Sequence, residues 1–149
     1  MIVVTQQVEH AKLTVENETI SEIGGGLLTF VGIGRDDNLA DVNLAASKLI
    51  KTRQFKDQNG KINLNPKDSN AHFLIVSNFT LQADLTHGNR PNFSHAGEFE
   101  TAKELFNALV NQVKESGAGL VKTGVFGAHM QIETKMIGPI NLVIDTKKL

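Results

Sequence analysis

A chain of 149 residues with 15 Lys and Arg against 16 Asp and Glu, a formal net charge of −1, has room for one domain built on one core. Near-neutrality excludes a protein that wraps a long polyanion, so any contact with nucleic acid is local and no DNA partner is expected. Cysteine is absent, which removes disulfides, thiolate metal sites and cysteine nucleophiles and suits a cytoplasmic chain.

The opening MIVVTQQVEH reads as a first strand and not as a signal peptide. No run of about 18 apolar residues occurs, so no membrane span or membrane partner is expected. Residues 2–8 and 11–16 are predicted strands, Asn17-Glu18 a turn, and 19–23 the returning hairpin strand. Gly24-Gly25-Gly26 is a bend or bulge; without a following Gly-Lys-Ser/Thr and helix it is no phosphate loop. Residues 27–33 form an apolar strand. Asp36, Asp37 and Asn38 are candidate caps for a helix over 39–53, whose apolar face carries Leu39, Val42, Ala46, Leu49 and Ile50. Gln58-Asn59-Gly60 is a turn signal.

The near-continuous apolar run 72–77 predicts a strand buried on both faces. A second helix is expected over 97–115, with Phe99, Ala102, Phe106, Leu109, Val110 and Val113 on one face. Strands follow at 120–123, 126–134 and 140–145, the last alternating with a period of two. The fold class is therefore mixed α/β with a largely antiparallel sheet and two main helices, one domain over residues 1–149. Eight Phe with no Tyr or Trp are mostly core material.

Three segments stand out from plain structure. Ser77-Asn78-Phe79-Thr80-Leu81 ends the buried strand, where a rigid scaffold holds backbone N–H groups and two hydroxyls could orient an ester. The alternative is a polar strand end that satisfies its own backbone. Residues 84–96 form a long polar connection with His87, Arg90 and His95; Arg90 suits phosphate, and a solvated loop is the plainer alternative. Gly138-Pro139 lies between two predicted strands as a turn or strand start. No nucleophile elbow is present, and no histidine pair has metal-ligand spacing on a helix, so no metal and no cofactor are expected.

Taken together, VVTQQVEHAKLTV (3–15), SNFTL (77–81), GNRPNF (88–93), TGVFGAHMQIE (123–133) and GPINLVID (138–145) resemble the D-aminoacyl-tRNA deacylase family over the whole chain. The resemblance implies a deacylase-type, barrel-like layered fold. It implies a homodimer whose pocket is completed across the interface, and a hydrolase acting on aminoacyl-tRNA. The substrate it implies is the ester joining a D-amino acid or glycine to the 3′-terminal adenosine of tRNA. Ser77, Asn78, Phe79 and Thr80 are then the catalytic segment, working through backbone N–H groups and the substrate's own 2′-hydroxyl. A nucleophilic role for Thr80 is the other possibility. Leu81, Arg90, Phe126, Gly127, Ala128, Met130, Gly138 and Pro139 bind substrate, with Gly138-Pro139 of one subunit rejecting L-amino acids in the other's pocket.

The chain departs from the family pattern in four places. Gln7 stands where Arg is usual and Asn78 where Gln is usual. Met136-Ile137 replaces Asn-Asp, and Ile140-Asn141 replaces Val-Thr. Two other readings follow: a paralogue with relaxed or altered chirality, and a catalytically silent module that binds a nucleotide or RNA end. His129 and Met130 are expected on one strand, facing opposite sides.

Overall fold

The computed structural model describes residues 1–149, and its centre is one long strand. Strand β1 (Ile2–Val15) runs unbroken through the polar Glu9-His10 pair, where two strands were expected. A register shift at Val8/His10 lets the strand bend there instead of ending. One edge of β1 pairs first with β3 (Gly26–Gly32), Val8 opposite Gly26. It then pairs with β2 (Glu18–Ile23), Ala11 opposite Ile23. The Gly24-Gly25 corner thus folds one hairpin arm into two strands. At Gly26 a Cβ would come 2.0 Å from the His72 carbonyl oxygen, so only glycine lets β3 lie this close to its neighbour.

That neighbour is β6 (His72–Ser77), parallel to β3, and β7 (Val121–Thr123) continues the sheet in parallel. On the other edge of β1 lies β8 (Gln131–Asp145). The result is a nearly closed, barrel-like mixed sheet. Ser21 Oγ donates to the Thr123 carbonyl at 2.6 Å and draws β2 toward β7.

The C-terminal strands correct the expectation twice. Residues 126–130 are loop, and Gly138-Pro139 sits inside one continuous strand. The register explains how. Gln6 pairs Asn141 and Val8 pairs Met136, so Gln7 alone faces the four residues 137–140. The segment is a wide bulge on an edge strand, where proline's missing N–H deprives no ladder. The Gly138-Pro139 peptide bond is cis, and Gly138 has φ +121.

Helices α1 (Leu39–Lys51) and α2 (Phe99–Glu115) pack together over one face of the sheet. Between them, Leu27, Val31, Phe73 and Ile75 meet Val42, Leu49, Phe106, Leu109 and Val113 in the main core. The alternate residues Leu28, Leu74 and Val76 turn inward to meet Val8, Leu13 and Ile23 inside the barrel. This is the double burial that the apolar run 72–77 predicts. A small hairpin, β4 (Phe55–Lys56) and β5 (Ile62–Leu64), closes over the Gln58-Asn59-Gly60 turn. Its strands are too short to leave a pattern in sequence.

Asn38 caps α1: its side chain accepts from the Ala40 N–H at 2.8 Å, while the Asn38 N–H donates to Asp41 at 3.0 Å. Asp37 is no cap. Its buried carboxylate accepts from the Met1 ammonium at 2.6 Å and from the Gly34 N–H at 2.7 Å. Thr146 Oγ1 accepts from the same ammonium and donates to Asp41 at 2.6 Å, and Lys147 Nζ reaches Asp41 at 2.8 Å.

Burial works against the Asp41 carboxylate. Hydrogen bonds from Lys147, Thr146 and the Asn38 N–H outweigh it and hold the pKa at about 2, below the ordinary 3.8. A carboxylate depressed in the folded state stabilises the fold above its unfolded pKa, and the effect is lost as pH falls through the folded value. Asp41→Asn should therefore cost about 2 kcal/mol at neutral pH, shrinking toward zero as the pH falls from about 4 to about 2. Urea unfolding of both proteins across that range checks the sign and the window.

Candidate functional site

The parallel strands β3 and β6 end side by side, and a cavity of about 580 Å³ opens at their carboxyl ends. That is a usual size for a small-molecule site and a usual place in sheets with parallel strands. Its floor is apolar: Phe30 and Val31 of β3 with Val76 of β6. One wall is Ser77, Asn78, Phe79 and Thr80. The strand gives way there to a 3-10 turn over Phe79–Gln82 with Asn78 as its cap. Asn78 Oδ1 accepts from both the N–H and the hydroxyl of Thr80, and the Asn78 N–H donates to the Val31 carbonyl at 2.8 Å. The motif is thus held by the parallel ladder on one side and by its own cap on the other.

The facing wall is the loop from Phe126 to Met130, together with Ala96, Gly97 and Phe99 at the start of α2. Phe126 makes edge contacts with Phe99 at 5.2 Å and lies 5.7 Å from Phe106, which roots the loop in the helical core. Met130 packs into the barrel interior and fixes the loop's other end. His129 is the one ionisable side chain on the wall. Phe79, 59% exposed, stands beside the mouth with its ring edge-on to Phe93 at 5.0 Å.

Of the residues expected to form the site, the structure brings together Ser77, Asn78, Phe79, Thr80, Phe126, Gly127, Ala128 and Met130. Leu81, Arg90, Gly138 and Pro139 do not line the cavity of their own chain. Leu81 is a clasp: a Cβ on Gly32 would come 2.6 Å from its Cβ, and next to it Gln82 Nε2 donates to the Gly32 carbonyl at 2.7 Å. Arg90 is exposed on the 84–96 connection. That connection is organised by backbone bonds between Asp84 and Asn92 and by the Thr86 hydroxyl and N–H. These Thr86 contacts hold the Asp84 carboxyl below the usual range.

His129 and Met130 correct the strand expectation. They lie in a loop, where alternation does not apply, and both reach the cavity. Helical spacing puts Phe99 on the core face, yet it is 51% exposed and borders the cavity. Its place at the first turn, one residue past the Glu98 cap, is the signal that it overhangs the end of the core.

A family model for D-Tyr-tRNA(Tyr) deacylase matches residues 4–145. A protein of Thermosipho africanus called D-aminoacyl-tRNA deacylase is 44% identical over 149 residues, covering 100% of this chain and 99% of the relative. The chain belongs to the D-aminoacyl-tRNA deacylase family. A Clostridium perfringens deacylase of that name is 40% identical, with 99% of each chain covered. Among solved structures, a c-Myc DNA unwinding element binding protein superimposes with TM-score 0.92 at 33% identity, covering 97% of this chain and 98% of that one. A probable eukaryotic D-amino acid tRNA deacylase shares the fold, with TM-score 0.82 at 16% identity over 96% and 97% of the two chains.

Gly127 tests the fit of this wall. It has φ +77, and a Cβ there would come 2.9 Å from the Phe99 ring. Gly127→Ala should lose about 1–2 kcal/mol from the left-handed backbone alone. It should also push Phe99 into the mouth and weaken ligand binding several-fold. Denaturant unfolding and ligand titration of the same preparation measure both effects.

Proposed function

We propose that the chain hydrolyses the ester linking a D-amino acid, or glycine, to the 3′-terminal adenosine of tRNA, in the cytoplasm. One observation carries the reading: an apolar cavity at the ends of two parallel strands, walled by Ser77–Thr80 and the 126–130 loop, in a chain of this family. The cavity offers hydroxyls, a carboxamide and the leading end of a 3-10 turn, with no carboxylate beside its single imidazole.

An aminoacyl ester is already activated, so the barrier needs only moderate lowering. Positioning and backbone donors aimed at the developing oxyanion supply several kcal/mol without an acid–base pair. Asn78 takes up the Thr80 N–H. The N–H of Phe79, first in the turn, is then the donor we assign to the oxyanion. The substrate's 2′-hydroxyl carries the proton, and Thr80, engaged by Asn78, positions the ester.

Two copies of the chain complete each site. The support is β8, a fifteen-residue strand paired on one edge only, with Met136 and Val143 exposed at 43% and 69%. A long unpaired edge invites a partner. Gly138-Pro139 bulges from that strand outside its own cavity, and in a dimer it enters the partner's and crowds the side chain of an L-amino acid. Sedimentation at micromolar concentration should show a dimer.

Thr80→Ala should cost about tenfold in kcat/KM for a D-aminoacyl-tRNA, as expected of a positioning group; a nucleophile would cost about 10⁴-fold or more. His129→Ala should keep activity within about tenfold, since no proton passes through it. Single-turnover hydrolysis of D- and L-aminoacyl-tRNA by each variant decides between the two roles.

A relaxed chirality gate is favoured by one observation. The side-chain carbonyl of Gln7, opposite the Gly138-Pro139 bulge, is buried without a hydrogen-bond partner, so no fixed charged fork pins the bulge. Gln7→Arg should raise the preference for D over L by roughly tenfold, the equivalent of about 1.4 kcal/mol of restraint. Parallel D and L assays read it directly.

A further inference from the structure

The protein is near neutral, but its charge is unevenly spread. Residues 48–68 hold Lys48, Lys51, Arg53, Lys56, Lys61 and Lys67 against Asp57 and Asp68, a net +4, while the rest of the chain sums to −5. All six cations are exposed. The fold places five of them at the end of α1 and on the hairpin that follows it. Lys48 and Lys51 share the last turn of α1, three residues apart and on one face. Arg53 hydrogen-bonds to the carbonyl and the side chain of Asn63, which docks the helix exit on β5. Lys56 pairs in register with Ile62, next to Lys61.

Of the two acids in the segment, Asp68 is exposed beside Lys67 and Asp57 is occupied. Asp57 accepts from the N–H groups of Asn59 and Lys61 and from the Asn63 amide. The one acid of α1, Asp41, is buried and bound to Thr146 and Lys147. From Asn38 to Lys56 the α1 ridge therefore exposes no carboxylate. Lysines in a last helical turn also complement the helix dipole, which accounts for Lys48 and Lys51 but not for the hairpin cations.

We infer that the end of α1 and the β4–β5 hairpin form a phosphate-binding surface for the body of the RNA whose 3′ end enters the cavity. The inference rests on the function proposed above. No cation lines the cavity, so the polyanion attached to the ester has no partner there. The α1 N-terminus lies beside the cavity end of β3 through the Gly34–Asp37 contact. Thirteen helical residues then carry the acid-free ridge about 20 Å to the basic end. A few phosphate contacts on one local surface are also what a net charge of −1 permits.

The test compares wild type, Lys56→Gln/Lys61→Gln and the control Lys103→Gln/Lys114→Gln, each folded by circular dichroism. The substrates are a D-aminoacyl-tRNA and the same D-aminoacyl ester of adenosine alone. The patch variant should show a roughly tenfold higher KM for the tRNA substrate, an unchanged kcat, and a log KM against log salt slope shallower by about 1.5. Its kinetics on the adenosine ester should match wild type, and Lys56→Arg/Lys61→Arg should restore KM on tRNA. An unchanged KM and slope on tRNA, an equal loss in the control, or an equal loss on the adenosine ester overturns the inference. If wild type hydrolyses neither ester, the proposed function fails. The salt slope for binding uncharged tRNA, compared across the same variants, then still decides whether the patch holds phosphate.

Discussion

Buried backbone N–H and C=O groups must be paired, and β1 meets that demand by pairing on both edges for nearly its full length. Every other part of the sheet takes its position from that strand. One edge accepts β3 and β2 in succession, which forces the Gly24-Gly25 corner and curls the sheet toward closure. The other accepts β8, whose own outer edge is left free. A single strand thus sets both the curvature that encloses the barrel core and the edge on which Gly138-Pro139 is displayed.

The cavity follows from the same arrangement. Once β3 is fixed against β1, β6 joins it in parallel, so the two strands end at the same level. Antiparallel neighbours would have put a hairpin turn there. Parallel ends leave room, and the chain fills the rim with a capped 3-10 turn on one side and an aromatic-rooted loop on the other. The site is therefore built from backbone held by a ladder and from apolar packing. That construction suits chemistry done by positioned N–H groups better than chemistry done by titrating side chains.

Charge is handled by segregation. The carboxylates of Asp37 and Asp41 are spent at the start of α1, where they bind the Met1 ammonium, Thr146 and Lys147 and tie both ends of the chain to the helical layer. With those acids internalised, the exposed length of α1 is left to neutral and basic side chains. A stabilising network at one end of a helix and a cationic surface at the other are thus one distribution of charge along α1.

The sequence by itself determined the elements and the family. Periodicity placed α1, α2 and the buried strand 72–77 within a few residues, because each buries a long, regular apolar face. The SNFTL, GNRPNF and GPINLVID segments identified the deacylase family, since their residue types survive whatever their contacts are. What sequence could not supply was pairing. Whether 2–8 and 11–16 are one strand, and whether Gly138-Pro139 interrupts a strand or bulges from it, depends on a partner more than a hundred residues away along β8. His129 and Met130 illustrate the same limit: alternation assigns sides only where a ladder exists, and in the 126–130 loop it does not. The withdrawal of Leu81 and Arg90 from the cavity, and the arrival of Phe99 in it, were likewise decided by tertiary packing. A side chain's direction at the end of an element is set by what lies across the gap, and nothing local encodes that.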